Sequence, residues 1–85
     1  QQIDEIDNEL LEALSKRMRV SREIGQYKKE HRMPVLQTNR YDTVLNSRAK
    51  SAEELGMSGE FARVVYQAIH EESVRQQIEV LNNGM

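Results

Sequence analysis

Apolar residues recur along the first third of the chain with the period of an α-helix, and the pattern runs without a break from Ile3 to about His31. Steps of about 3.6 residues from Ile3 select one face of this helix. Its members are Ile3, Ile6 or Asp7, Leu10, Leu14, Arg17, Ser21, Ile24 and Lys28. Such a helix is roughly 40 Å long, which exceeds the diameter of a globule of this size. The pattern therefore predicts that the helix packs against a partner chain.

A second, shorter helix follows a turn that contains the single proline of the chain. Pro34 has no N–H group to donate, so the first helix should end near Arg32. Thr38 or Asn39 can cap the second helix, and Gly56 can end it. Its apolar positions, at helical spacing, are Tyr41, Val44, Leu45, Ala49, Ala52 and Leu55.

The third helix should begin after the cap Ser58 and fray at the C-terminal Asn-Asn-Gly. Its apolar positions are Phe61, Val64, Val65, Ala68, Ile69, Val80 and Leu81. Polar residues interrupt this series after Ile69, and two of them, Ser73 and Gln77, share a face of the helix. The chain is therefore predicted to be all-α, with a long, a short and a long helix.

Composition excludes several classes of function. The 85 residues, 38% of them hydrophobic, suffice for a single domain over 1–85. The absence of cysteine leaves no disulfide or thiolate metal site, which fits a reducing cytoplasm. No apolar run of about 18 residues and no leader segment occurs, so we predict a cytoplasmic protein without a membrane segment. The net charge of −2, from 12 basic and 14 acidic residues, provides no excess of positive charge for nucleic acid.

Basic residues nevertheless occupy positions on the inner face of the first helix at which the helical period predicts apolar side chains. Arg17 and Lys28 have nearly the same azimuth and lie about 16 Å apart along the helix axis. Ser21 and Gly25 between them are small and leave space for a ligand. Arg40, at the start of the second helix, can supply a third cation. Three cations around a cleft favour a small ligand with more than one carboxylate, which arginine can bind bidentately.

These residues also have a purely structural interpretation. An arginine on a helix face commonly extends its charge to solvent or forms a salt bridge with a glutamate of another helix. His31 and His70 have no metal-ligand spacing and are predicted to be surface residues. The spacing of the cations alone does not decide between a ligand site and structural ion pairs.

The candidate chemistry is limited by what the sequence lacks. It shows no nucleophile, metal cluster or glycine-rich phosphate loop. Fixed positive charge and positioning can still accelerate a unimolecular rearrangement of an anionic substrate. They do so because they hold a reactive conformer and stabilise charge that develops on an oxygen.

Four segments carry a resemblance to a known family. They are IDEIDNELLEALSKRMRVSREIGQYK, the tripeptide MPV, the helix that opens with Arg40, and EESVRQQ. With this spacing the chain resembles the AroQ-type, all-helical chorismate mutases over essentially its whole length. The resemblance implies an intertwined homodimeric helical bundle in which the two long first helices pair and both chains build each active site. It also implies conversion of the chorismate dianion to prephenate by a pericyclic Claisen rearrangement, with no cofactor.

The resemblance further implies roles for five residues. Arg17 matches the first-helix arginine that grips a substrate carboxylate, and Lys28 matches the lysine that hydrogen-bonds a carboxylate and the ether oxygen. Arg40 matches the arginine at the start of the second helix. Ser73 and Gln77 match the third-helix pair, in which the glutamine is aimed at the ether oxygen. All five are candidate substrate-binding residues, and the candidate catalytic residues are Lys28, Gln77 and Arg17.

Three positions depart from the family pattern. Gln37 stands where an aspartate is common, and Tyr41 stands where many members carry a glutamate that contacts the substrate hydroxyl. Both are further candidates for substrate binding, and Tyr41 could supply a hydroxyl instead or simply pack. A family arginine donated across the dimer would fall immediately ahead of Gln1. We therefore expect a piece of a longer protein with weak mutase activity by itself, fused to an enzyme such as DAHP synthase, prephenate dehydratase or prephenate dehydrogenase.

Two other functions stay open at the level of sequence. One is a catalytically poor dimerisation or ligand-sensing module fused to a shikimate-pathway enzyme such as DAHP synthase. The other is an isochorismate-pyruvate lyase on the same scaffold. Turnover of chorismate, binding without turnover, and release of pyruvate from isochorismate distinguish the three.

Overall fold

The computed structural model describes residues 1–35 and 38–83, and it describes the predicted caps Thr38 and Asn39 by their backbone only. These residues form three α-helices, which are α1 (Gln2–Glu30), α2 (Thr38–Glu54) and α3 (Gly59–Asn82). The described chain contains no β-strand. The all-α class and the long, short, long order predicted from periodicity are confirmed. Among the described residues, no helix has the continuous apolar stretch that crossing a bilayer requires.

α1 ends in a hydrogen-bonded capping motif just ahead of the proline. Arg32 adopts a left-handed backbone conformation with a φ of 54°. Its N–H donates to the Lys29 carbonyl at 3.4 Å, and the N–H of Met33 donates to the Lys28 carbonyl at 2.8 Å. This is the Schellman arrangement, which is usually built on glycine. The motif satisfies carbonyl groups at the helix end before Pro34 is reached.

The turn between α2 and α3 is specified by Gly56 and Ser58. Gly56 has a φ of 86°, which glycine adopts without the clash of a Cβ atom. The N–H of Met57 then donates to the Ala52 carbonyl at 2.8 Å. Ser58 caps α3, because its side chain accepts a hydrogen bond of 3.1 Å from the N–H of Phe61. Both helix ends agree with the sequence prediction because each depends on a residue in the turn itself.

α3 is the central helix of the chain. It packs against α1 and against α2, whereas α1 and α2 do not contact each other within the described residues. The Cα atoms span 44 × 31 × 14 Å. Their radius of gyration is 14.8 Å, against roughly 12 Å for a compact globule of this length. The helices therefore form an open layer with a groove between α1 and α2, and α3 is the floor of that groove.

Few apolar side chains are buried within this layer. The buried ones in the described chain are all small, namely Ala49, Ala52, Ala62 and Val80. Leu55, Phe61 and Val64 occupy predicted apolar faces, yet 77%, 58% and 63% of their surface is exposed. Periodicity identified these positions as an apolar face of their helix, but it did not show which residues they pack against. The layer leaves many of its larger apolar side chains exposed.

Polar contacts join the C-terminal half of α1 to α3. Arg22 donates to Gln76 Oε1 at 2.7 Å and pairs with Glu79 at 3.3 Å. Lys29 Nζ donates to the Asn83 carbonyl at 2.7 Å, where a cation also complements the dipole at the end of α3. These contacts set the register between the two helices and thereby the side chains that face the groove.

Candidate functional site

The groove contains a cavity of about 360 Å³, a volume typical of small-molecule sites. Its polar lining residues are Arg17, Ser21, Lys28, Arg40, Tyr41, Tyr66, His70, Ser73 and Gln77. Its apolar lining residues are Val20, Ile24, Val35, Val44, Leu45 and Val74. All three helices contribute, so the cavity is a property of the tertiary fold.

The cavity brings together most of the side chains singled out from the sequence. Those that line it are Arg17, Lys28, Arg40, Tyr41, Ser73 and Gln77. Gln37, the remaining candidate, lies outside the described residues. Residues from three helices and from distant parts of the chain therefore face one volume.

The cavity wall carries three cations and, within the described residues, no carboxylate. Arg17, Lys28 and Arg40 line it, and no aspartate or glutamate does. The ion pairs of the described chain instead join Arg22 and Arg75 to glutamates of α3. Within the described residues, neither Arg17 nor Lys28 takes part in a salt bridge, so the structural interpretation of these two cations as ion-pair partners is not supported. Such a wall attracts a ligand with more than one negative charge.

Lys28 and Gln77 form a hydrogen-bonded pair in the wall. Lys28 Nζ donates to Gln77 Oε1 at 3.0 Å and to the Val35 carbonyl at 2.8 Å. An ammonium group has three protons, so one stays available to a ligand. Because Gln77 accepts through Oε1, its Nε2 group is the part that can donate to a ligand. Burial lowers the pKa of Lys28 because it disfavours the charged form.

Ser21 and Ser73 link α1 to α3 through buried hydroxyl groups whose oxygens are 2.6 Å apart. The Ser21 hydroxyl also lies 3.1 Å from the Arg17 carbonyl, which can only accept a hydrogen bond. The Ser21 proton therefore goes to that carbonyl, and Ser73 donates its own proton to Ser21. Toward the cavity, Ser73 is left as a hydrogen-bond acceptor.

Gly25 does not leave space for a ligand, so that sequence prediction is wrong. It is buried against α3, where an added Cβ atom would lie 3.0 Å from Gln77 Cα and 3.2 Å from Gln77 Cγ. The glycine instead lets the backbones of α1 and α3 approach each other closely. Its effect on the cavity is indirect, because it fixes the position of Gln77.

Arg17 lies beside an aromatic ring. Its guanidinium carbon is 6.0 Å from the centre of the Tyr66 ring, and Arg48 approaches the same ring at 5.9 Å. A cation–π contact orients a guanidinium without engaging its five N–H donors. Arg17 can therefore still bind a carboxylate bidentately.

His70 was predicted to be a surface residue, and the structure corrects this. Its ring is half-buried in the cavity wall and stacks on Tyr41, with ring centres 3.8 Å apart and planes inclined by 20°. Burial lowers the pKa of His70, Arg17 and Lys28 lower it further, and Glu71 opposes them. The imidazole is therefore mostly uncharged at neutral pH.

The sequence could have identified His70 and Tyr66 as residues of the cavity wall, although a search for apolar periodicity does not select them. Tyr66, His70, Ser73 and Gln77 follow one another at helical spacing and occupy one face of α3. Once Ser73 and Gln77 are candidates, the same face includes the two rings. Both side chains have an apolar body and a polar tip, so a search for apolar positions or for metal ligands does not mark them.

Comparison with known protein families identifies a match. The family model described as chorismate mutase type II matches residues 1–78. A T-protein of Enterobacter agglomerans is 35% identical over 72 residues, which are 85% of this chain and 19% of that protein. A 4-amino-4-deoxychorismate mutase of Streptomyces pristinaespiralis is 32% identical over 82 residues, which are 96% of this chain and 64% of that protein.

A second T-protein, from Haemophilus influenzae, is 29% identical over 72 residues, which are 85% of this chain and 19% of that protein. The chain thus spans about a fifth of the length of the two T-proteins and less than two thirds of the length of the Streptomyces protein.

Proposed function

Because this chain belongs to the chorismate mutase type II family, we propose that it catalyses the rearrangement of chorismate to prephenate. One observation carries the proposal. Arg17, Lys28 and Arg40 line a single cavity, and the described wall of that cavity holds no carboxylate. Chorismate has two carboxylates, so the ligand and the cavity are complementary in charge.

The two arginines are the proposed carboxylate-binding residues. Arg17 extends from α1 and Arg40 from the first turn of α2, so they reach the cavity from helices that do not touch each other within the described residues. A planar guanidinium binds a carboxylate with two parallel hydrogen bonds. Holding both carboxylates in this way restricts the substrate to a compact conformer with the reacting carbons close together, which lowers the entropic part of the barrier.

The rearrangement breaks the C–O bond of the enol ether and forms a C–C bond in one step, so it requires neither a nucleophile nor a cofactor. Negative charge develops on the ether oxygen as the C–O bond lengthens. The third proton of Lys28 and the Nε2 group of Gln77 are the proposed donors to this oxygen. Donors held in place before the reaction stabilise the transition state more than the substrate, and losing one typically costs about 10²–10³ in rate.

We also infer that the working form is a homodimer in which the two α1 helices pair. The N-terminal half of α1 exposes Ile3, Ile6, Leu10 and Leu11, with 55% to 67% of their surface accessible. The layer of helices is only 14 Å thick at its Cα atoms, and no large side chain of the described chain is fully buried. An apolar face of this kind supports an interface with a second copy.

A second substrate has support from one relative. The Streptomyces protein that aligns with 96% of this chain is named as a 4-amino-4-deoxychorismate mutase. That substrate carries an amino group where chorismate has its ring hydroxyl, and the rest of the molecule is the same. Cations that bind the carboxylates would serve either compound. The choice between them depends on the part of the wall that contacts the substituent.

Turnover tests the proposal directly. The purified chain is incubated with chorismate, the loss of chorismate absorbance is followed, and prephenate is identified by its conversion to phenylpyruvate in acid. Arg17→Ala and Lys28→Ala should each reduce kcat/KM by at least about 10²-fold. Lys16→Ala and Arg19→Ala are matched controls, because both are exposed cations of α1 outside the lining of this cavity. The controls should keep kcat/KM within about twofold of the wild-type value.

Two results would contradict the proposal. Binding of chorismate without any prephenate formation would favour a ligand-sensing module. Release of pyruvate from isochorismate without prephenate formation would favour a lyase.

A further inference from the structure

Arg48 stands one helical turn beyond the residues of α2 that line the cavity. Tyr41, Val44 and Leu45 belong to the cavity wall. Arg48 follows Val44 by four positions and Leu45 by three, a spacing at which residues share one face of a helix. Arg48 is exposed and lies outside the cavity lining. Its side chain therefore starts at the rim of the cavity, on the face of α2 that forms the wall.

The ring of Tyr66 brings Arg48 close to Arg17. The guanidinium carbon of Arg48 lies 5.9 Å from the centre of this ring, and that of Arg17 lies 6.0 Å from it. Tyr66 is half-buried and lines the cavity. Because α1 and α2 do not contact each other within the described residues, a ring on α3 is the structure that the two cations share. Two guanidinium groups from two helices thus converge at one end of the cavity wall.

Neither guanidinium group is neutralised by a carboxylate of the described chain. Arg48 makes one hydrogen bond there, a long one of 3.4 Å to the hydroxyl of its neighbour Ser47. The guanidinium of Arg17 contacts only the Tyr66 ring among the described residues. Two positive charges that approach the same ring repel each other, and an anion between them would remove that repulsion. The N–H donors of both groups are available to such an anion.

The two ends of the cavity are marked by Tyr66 and Gln77, which are eleven positions apart on α3 and thus about 16 Å apart along its axis. Arg17 contacts Tyr66 at one end, and Lys28 contacts Gln77 at the other. Chorismate carries its two carboxylates on different parts of the molecule. The carboxylate assigned to Arg17 is therefore the one that lies near Arg48.

We propose, on the basis of the mutase function proposed for this cavity, that Arg48 is a further substrate-binding residue that joins Arg17 in holding one carboxylate of chorismate. Tyr66 is the positioning residue of this pair, because its ring face attracts both guanidinium groups and leaves their N–H donors unused. We call Arg17, Arg48 and Tyr66 the carboxylate clamp. The bound carboxylate accepts hydrogen bonds from both arginines, and its charge offsets their mutual repulsion.

The experiment measures kcat and KM for chorismate in variants of Arg48. Arg48→Gln removes the charge, so kcat/KM should fall about tenfold. The fall should come mainly from a higher KM, because the carboxylate is bound in the substrate and in the transition state alike. Arg48→Lys keeps the charge and should retain about a third of the wild-type kcat/KM or more. Lys50→Gln is the matched control, since Lys50 is an exposed cation of α2 outside the cavity lining, and it should stay within about twofold of wild type.

Variants of Tyr66 test its positioning role. Tyr66→Phe keeps the ring face and should stay within about twofold of the wild-type KM. Tyr66→Leu removes the ring and should raise KM about tenfold, and Arg48→Gln should then have a smaller effect than it has in the wild type. A variant that is merely less well folded would lower kcat and leave KM unchanged. Equal increases of KM in Tyr66→Phe and Tyr66→Leu would contradict a role of the ring.

Ionic strength separates a direct contact from long-range attraction. The screening length is about 8 Å at physiological salt and about 3 Å at 1 M salt. A direct contact between Arg48 and the carboxylate should keep most of the difference between wild type and Arg48→Gln at 1 M salt. Loss of the whole difference at 1 M salt would overturn the proposal, as would an unchanged KM in Arg48→Gln at both salt concentrations.

Failure of the carboxylate clamp is distinguishable from failure of the mutase function. If the chain binds chorismate without rearranging it, the mutase proposal fails, and the dissociation constant measured by calorimetry tests the clamp. Arg48→Gln should then raise that constant about tenfold, and Lys50→Gln should leave it unchanged. If turnover of chorismate is the same in Arg48→Gln and wild type, only the carboxylate clamp fails. If chorismate neither reacts nor binds, both proposals fail.

Discussion

Lys28 Nζ lies 3.0 Å from Gln77 Oε1, so an ammonium group on α1 fixes the orientation of an amide on α3. The hydrogen bond leaves Gln77 Nε2 to donate to a ligand, and Lys28 is held in turn by the Val35 carbonyl at 2.8 Å. Neither donor has to reorganise when charge develops on a ligand oxygen. This pair is therefore the part of the wall best suited to stabilise a transition state.

Gln77→Glu should remove most mutase activity at neutral pH, because a carboxylate has no proton to donate and would pair with Lys28. We expect kcat to fall by about 10²–10³ and to recover toward acid pH, where the glutamate carries a proton. A series of kcat measurements across pH checks this. Gln67→Glu, at an exposed position of α3, is the matched control. An equal loss in both variants would speak against a role of Gln77 in the reaction.

The pH dependence of catalysis should reflect the loss of the proton from the Lys28 ammonium group. Burial lowers the pKa of Lys28, so the ammonium loses its proton at a lower pH than an ordinary lysine with a pKa of 10.5. The rate constant kcat/KM should therefore decline on the alkaline side before that pH is reached. A bound dianion stabilises the ammonium, so the decline in kcat should come at a higher pH than the decline in kcat/KM.

Lys28→Arg tests this assignment, because a guanidinium keeps its proton throughout the range. The alkaline decline should disappear in that variant, whatever its absolute rate. A decline at the same pH in wild type and variant would assign it to another group.

Ser21→Ala and Ser73→Ala should each lower the free energy of unfolding by about 1–3 kcal/mol, because each leaves a buried hydroxyl without its partner. The double variant should lose less than the sum, with a coupling of about 1 kcal/mol. Urea denaturation of the wild type, the two single variants and the double variant, all at the same protein concentration, measures this coupling energy. Ser15→Ala, at an exposed position of α1, is the control. Strictly additive losses would contradict a direct hydrogen bond between the two hydroxyls.

Gly25→Ala should destabilise the chain by about 1–3 kcal/mol, although alanine has the better helix propensity by about 1 kcal/mol. The new Cβ atom would lie 3.0 Å from Gln77 Cα, and this backbone atom can yield only if α1 and α3 separate. Gly59→Ala is the comparison, because its nearest neighbour is the flexible end of Glu53 at 2.7 Å. Thermal denaturation should show the larger loss for Gly25→Ala, and equal losses would refute the close approach.

Leu10→Asp should weaken the proposed homodimer, because it places a charge on the exposed apolar face of α1, where 55% of Leu10 is accessible. Sedimentation velocity should show the wild type at twice the chain mass of 9.9 kDa and the variant shifted toward the monomer. Leu55→Asp, at an exposed leucine between α2 and α3, should not change the sedimentation. A monomeric wild type would contradict the dimer.

The number of helices and their limits depend on residues that are close together in sequence. Gly56 and Ser58 act within their own turn, and the apolar periodicity of each helix is a local property, so the three-helix class could be predicted without a structure. The positive charge of the site could also be predicted, because the sequence itself shows that cations stand on the inner face of α1. The resemblance to a family then indicated which of these side chains to expect at one site.

Only the tertiary structure decided what those side chains contact. Ser21 and Ser73 are 52 positions apart, and their hydrogen bond depends on the separation and rotation of α1 relative to α3. The same geometry turns Gly25 into a packing contact and brings His70 from a predicted surface position onto Tyr41. Periodicity specifies which residues share the face of one helix. Periodicity does not specify the distance between two helices. That distance determines whether side chains of the two helices form a hydrogen bond, stack on each other, or leave a cavity between them.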